Sequence, residues 1–212
     1  EYKFTNIHLD KNNFLNHVTY CDMCLNLEFY KKFINYEYIL INQLDSIILK
    51  DELDLWCDKN YSYIGAPSWH KNLNNSKLTK PKYFCNGGFS LRKVNDFIAV
   101  LDSKRMSFNK VDSKIIKQVF LKGYIKRYLS LISNSYSKNN IIDVKKFTGE
   151  FFLPEDVFWT YFAKIFYDKF IIPTDTLECA NFALSEGAKL YNEKFNIIPF
   201  GVHGYNKENS LF

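Results

Sequence analysis

A chain of 212 residues that is 47% hydrophobic and 18% aromatic is too apolar to stay disordered, and long enough to bury a substantial core without disulfides. Its net charge of +5 comes from scattered lysines rather than a basic stripe, which argues against nucleic acid as a partner while leaving an anionic ligand or a membrane surface open. No run approaches the roughly 20 apolar residues of a bilayer span, and residues 1–30 lack the order of a signal peptide.

The five cysteines (Cys21, Cys24, Cys57, Cys85, Cys179) are an odd number in a mid-sized chain, which argues against a disulfide framework and for a reducing, cytoplasmic setting. Cys21 and Cys24 form a lone C-x-x-C with no second pair to complete a zinc site, and they read as half-buried thiols.

In chain order, Tyr36–Ile41 and Ser46–Leu49 read as short apolar strands separated by a polar break. Asp51–Asp58 reads as a short helix with acidic residues in its first turn. Tyr61–Ile64 is the next strand, closed by Gly65–Pro67, and residues 68–82 form an Asn-, Lys- and Ser-rich surface loop. In Asn86–Lys93 two glycines open a strand, and a helix follows from about Val94. Residues 107–150 read as a helical insertion with a helix near Ser113–Lys122. Pro154 to Tyr167 is a helix that opens on proline, Glu155 and Asp156. Leu177–Leu190 is another, and Phe195–Pro199 is a last strand that ends in "FGVHGY". Alternating strands and helices define an α/β class, and no linker divides residues 1–212, so a single domain is expected.

Four segments carry chemistry. The run "YILINQLDS" passes from a buried strand to Asp45, placing a carboxylate beyond a strand end, where ligands of open α/β sheets gather. There Asp45 can cap a turn or hold a divalent cation that neutralises a diphosphate. Gly87 and Gly88 permit either a tight bulge or a close backbone approach to a ligand. Asp156 at a helix start caps that helix or accepts a proton from a bound hydroxyl. His203, framed by glycines, is a turn residue or an accessible metal ligand.

Together and in this order, "YILINQLDSIILKDELDLWCDKNYSYIGAP", "NGGFSLRK", "PEDVFW" and "FGVHGY" resemble a bacterial family of GT-A-like glycosyltransferases, catalogued mostly as a domain of unknown function. The resemblance covers about Phe29–Tyr205. It implies a Rossmann-like mixed sheet of GT-A type and transfer of a sugar from a nucleotide-sugar donor, a UDP-sugar first, to a hydroxyl of a glycan, lipid-linked or protein-linked acceptor. The setting it implies is bacterial surface glycan synthesis at the inner face of the membrane. Asp45 stands where the metal-binding D-x-D falls, His203 matches the late histidine of the metal site, and the cation implied is manganese or magnesium. Asp156 matches the acidic residue of the E-D motif, the base of an inverting reaction, with Glu155 beside it. Gln43, Asp45, Ser46, Asn86, Gly87, Gly88, Phe89 and Arg92 then fall at the nucleotide-sugar, and Trp69 and Tyr205 at the acceptor.

The sequence also departs from that pattern. Gln43-Leu44-Asp45 lacks the first carboxylate of a D-x-D, and Trp69 suits the core as well as a sugar face. Residues 1–30 are short for the strand and helix that hold the base in GT-A enzymes, so a compact form or one missing part of the N-terminal nucleotide-binding half is expected. Arg92 and Lys93 fit either phosphate or solvent. Two other classes stay open: a metal-dependent hydrolase, and a degenerate module that binds carbohydrate or serves structure.

Overall fold

The structure, a computed structural model, describes residues 6–68, 82–103, 154–185, 192–193, 196 and 198–204. The expected insertion at 107–150 with its helix at Ser113–Lys122, the interior of the 68–82 loop, Trp69 and Tyr205 lie outside the described residues.

A 3-10 turn (Lys11–Phe14) leads into α1 (His17–Cys24) and α2 (Leu27–Lys31). Then follow β1 (Tyr38–Asn42), β2 (Ser46–Ile48), α3 (Leu53–Asp58), β3 (Tyr63–Ser68), β4 (Lys82–Lys93) and α4 (Val94–Leu101). After residues 107–150 come α5 (Glu155–Tyr161), α6 (Ala163–Phe166), α7 (Thr176–Phe182), β5 (Ala183–Leu184) and β6 (Gly201–His203).

The class is mixed α/β. One sheet has the order β1-β4-β3 and is antiparallel throughout. A second has the order β2-β6-β5, antiparallel between β2 and β6 and parallel between β6 and β5. The first sheet buries both faces. Tyr63 joins Tyr30, Phe97, Phe158 and Trp159 from the helices, and Phe170 from the chain after α6, on one side, with Ile39 and Ile41 packed against them. Ile64 and Leu91 join Trp56, Phe89, Phe182 and Phe200 on the other, where Tyr38 and Leu40 pack. This two-residue alternation is what a strand buried on both faces requires, and it explains why β1 reads as a continuous apolar run.

The ends of the elements differ from the expected ones for local reasons. β3 continues through Gly65, Ala66 and Pro67, because it is an edge strand of its sheet, where a proline costs no ladder bond on the open side. The paired glycines do not open a strand; they interrupt the middle of β4. The helix expected over Pro154–Tyr167 is broken at Phe162, so that Phe158 and Trp159 before the break and Ile165 and Phe166 after it all reach the core. α7 stops at Phe182 because Ala183 and Leu184 turn extended and pair with Gly201 and Val202. Among the described residues the last strand is Gly201–His203, set by that pairing, and the described members of Phe195–Pro199 (196, 198 and 199) are not in a strand; position 201 needs glycine because a Cβ there would enter the ring of Phe89.

Neither α1 nor α2 has an apolar stripe that announces it. α1 starts at a capping box: Asn16 Oδ1 accepts from the amides of Val18 (2.9 Å) and Thr19 (3.1 Å), and Thr19 Oγ1 accepts from the Asn16 amide (3.2 Å). Asn16→Ala removes the acceptor for two otherwise orphaned amides, and urea unfolding is expected to show a loss of about 1 kcal/mol. An unchanged midpoint would mean that tertiary packing alone holds α1. Cys21 and Cys24 on this helix are fully buried rather than half-buried. Burial pushes their thiols up, to about 11 for Cys21 and about 12 for Cys24.

Candidate functional site

The polar break after β1 is a tight turn tied to β4. The Ser46 amide donates to the Gln43 carbonyl (2.9 Å), and the Gln43 amide donates to the Gly88 carbonyl (3.0 Å). Ser46 Oγ reaches that same carbonyl at 3.4 Å. Ser46 stands opposite His203 in the β2–β6 ladder, which carries the imidazole over the turn. His203 Nε2 lies 3.1 Å from Gln43 Oε1 and 3.5 Å from Asp45 Oδ1. The His203 and Asp45 side chains are 17% and 35% exposed, so a ligand can reach both. The cluster sits at the carboxyl end of β1, where the sequence pattern expects chemistry.

Gly87 and Gly88 make this approach possible. In β3, Gly65 pairs with Ser90 and Ala66 with Asn86, so residues 87–89 bulge out of that ladder. A Cβ on Gly88 would enter the imidazole of His203, and one on Gly87 would enter the carboxylate of Glu155. The close approach for which glycine is needed is therefore made by the protein's own side chains. Asn86 Oδ1 holds the bulge from within by accepting from the Gly88 amide (2.9 Å).

Beneath the bulge lies a buried ion pair. Arg92 Nη2 is 3.0 Å from Glu155 Oε1 and also donates to the Gly87 carbonyl at 3.2 Å. Arg92 Nη1 donates to Tyr30 Oη (2.8 Å) and Nε to Ser90 Oγ (3.0 Å). Burial opposes the charge on Arg92, but Glu155 and the surrounding polar groups outweigh it and hold the guanidinium protonated. Burial also keeps the Tyr30 phenol neutral by pushing its pKa well up.

The expected site residues thus separate into groups. Gln43, Asp45, Ser46, Asn86, Gly87, Gly88 and His203 come together. Asp156 starts α5 beside Glu155, half-buried, with Oδ1 accepting from the Val157 amide (2.8 Å). Phe89 is a fully buried core residue between Phe182 and Phe200, with ring centroids at 5.5 and 5.6 Å, rather than a residue open to a nucleotide-sugar. Arg92 and Glu155 are 0% and 4% exposed at their side chains and bind each other rather than a ligand. Lys93 bonds Asn60 and pairs with Glu37 at the far end of β4, about 16 Å along the strand from Gly88. Among the described residues no three His, Cys, Asp or Glu side chains group as a metal site. None of their helices is long and apolar enough to cross a membrane.

Fold and site define a mixed α/β protein with an accessible Gln-Asp-His cluster where its two small sheets meet. The chain belongs to the family described as "Protein of unknown function (DUF5672)", whose family model matches residues 3–203. No curated protein and no solved structure matches it.

Proposed function

We propose that the chain is a nucleotide-sugar-dependent glycosyltransferase of GT-A type, acting on a UDP-sugar and a hydroxyl acceptor at the cytoplasmic face of a membrane. The observation that carries this reading is the convergence of Gln43 Oε1, Asp45 Oδ1 and His203 Nε2 at the carboxyl end of β1.

The donor set fits an oxygen-rich divalent cation. Neighbouring ligands of an octahedral ion at about 2.1 Å lie about 3 Å apart, close to the 3.1 and 3.5 Å found between these atoms. Asp45 and His203 would hold manganese or magnesium with Gln43 beside them, and most positions would be left to diphosphate oxygens and water. When bound, the cation would neutralise charge on the leaving diphosphate. The chain's own part is to bind and to move a proton. Asp156 takes the proton of the acceptor hydroxyl as its oxygen bonds to the anomeric carbon, and the bond from that carbon to the nucleoside diphosphate breaks on the opposite face. The configuration at the anomeric carbon inverts.

The test is a panel of nucleotide sugars incubated with the protein, with and without manganese, followed for donor hydrolysis and transfer. Turnover that depends on manganese supports the reading. Binding of nucleotide without turnover indicates a degenerate binding module, and release of phosphate from simple esters indicates a hydrolase. The cation adds a second expectation. Calorimetry should detect weak manganese binding to the protein alone and clear binding with UDP, with that enhancement lost in both Asp45→Ala and His203→Ala. Equal binding of UDP in EDTA overturns the metal assignment.

A further inference from the structure

We infer that Arg92, paired with Glu155, is the positioning residue for His203 and the Gln43–Ser46 turn, acting through the Gly87–Gly88 bulge. Residues 87–89 have left the β3 ladder, so the sheet on that side does not set where their peptides lie. Side chains do. The Gly87 carbonyl accepts from Ser90 Oγ (2.9 Å) and Arg92 Nη2 (3.2 Å), and Arg92 Nε fixes Ser90 Oγ in turn. On its other side Arg92 is anchored to Glu155 and Tyr30, both buried.

One peptide further on, the same bulge meets the cluster. The imidazole of His203 packs on the α-carbon of Gly88, and the Gly88 carbonyl accepts the Gln43 amide that opens the turn carrying Asp45. A shift of the Gly87 carbonyl therefore passes through a single residue to both the seat of the histidine and the turn. Arg92 can make this bracket because its planar fork binds several partners at fixed angles; a lysine at 92 keeps the charge but loses the fork.

Two readouts separate positioning from mere stability, and only the second rests on the glycosyltransferase reading. In the full chain at fixed pH, the His203 ring nitrogen resonances and the Gln43 amide resonance should shift in both Arg92→Lys and the milder Ser90→Ala. They should stay in place in Tyr61→Phe, which loses the 2.7 Å bond to Glu178 elsewhere in the fold. Folded Ser90→Ala with a lowered melting temperature but His203 and Gln43 signals like those of the unaltered chain overturns the inference, whether or not Arg92→Lys folds. Where the unaltered chain turns over a UDP-sugar, Arg92→Lys should lose about 10²-fold in kcat with KM for the donor little changed, as expected when reacting groups are displaced by about 1 Å. A chain inactive on every donor would defeat the proposed function and leave the spectroscopic result to decide this inference.

Discussion

Asp156→Asn is expected to lower glycosyl transfer by roughly 10²- to 10⁴-fold, the range for loss of a general base, while UDP still binds. The substitution isolates the proton acceptor. Asparagine keeps the side-chain oxygen that accepts the Val157 amide, so the start of α5 should survive, together with the core contacts of Val157, Phe158 and Trp159 that the helix carries. Burial first, then Cys85 and last the Asp156 carboxylate, raise the nearby Tyr161 phenol. A carboxylate in the first turn of its helix that bonds the amide next to it, half-buried beside a core-buried neighbour, is suited to take a proton without leaving its place. Initial rates with saturating UDP-sugar and manganese, set beside UDP affinity by calorimetry, give the answer. Turnover within a few-fold of the unaltered chain would remove Asp156 as the base. Loss of UDP affinity along with turnover would make it a binding residue instead.

How much of this was legible in the sequence depended on whether a feature is local. The strand-to-turn change at Asn42–Asp45 is written in consecutive residues, and so the carboxyl end of β1 could be singled out. The glycine pair at 87 and 88 was legible as a place of close approach, but not what approaches, because His203 and Glu155 lie more than sixty residues away in the chain. Phe89 and Arg92 illustrate the opposite case. An aromatic and a cation beside a glycine pair suggest ligand contact, and only the packing of α7 and β6 on one side of β4, and of α2 and α5 on the other, turns both into interior residues. An arginine is so seldom buried without a partner that its burial could be foreseen only by pairing it with Glu155 beforehand. The helices α1 and α2 escape a sequence reading because their start signals are short, the Asn16–Thr19 box and the lone Asn26, with no apolar stripe behind them.

Arg92→Met should cost about 3–5 kcal/mol, the usual penalty for removing one partner of a buried ion pair. The loss goes beyond the pair. Glu155 would be left in the interior with neither oxygen bonded, since Oε2 already has no hydrogen-bond partner among the described residues and Oε1 bonds Arg92. The Tyr30 hydroxyl would lose an acceptor role, and the Gly87 carbonyl one of its two side-chain donors. Folded domains have only about 5–15 kcal/mol in hand, so the variant should approach the limit of folding at moderate temperature. In a chain of this length the melting temperature should fall by about 10 °C or more. The double variant Arg92→Met with Glu155→Leu separates the two sources of loss. By removing the stranded carboxylate it should recover most of the stability, because well-packed apolar side chains replace a buried pair at little cost. It should not recover the His203 and Gln43 resonances, since methionine cannot donate to Gly87. A single variant that unfolds in urea at the same midpoint as the unaltered chain would show that the Arg92–Glu155 pair contributes no net stability. Recovery of both stability and resonances in the double variant would show that the bulge is held by packing alone.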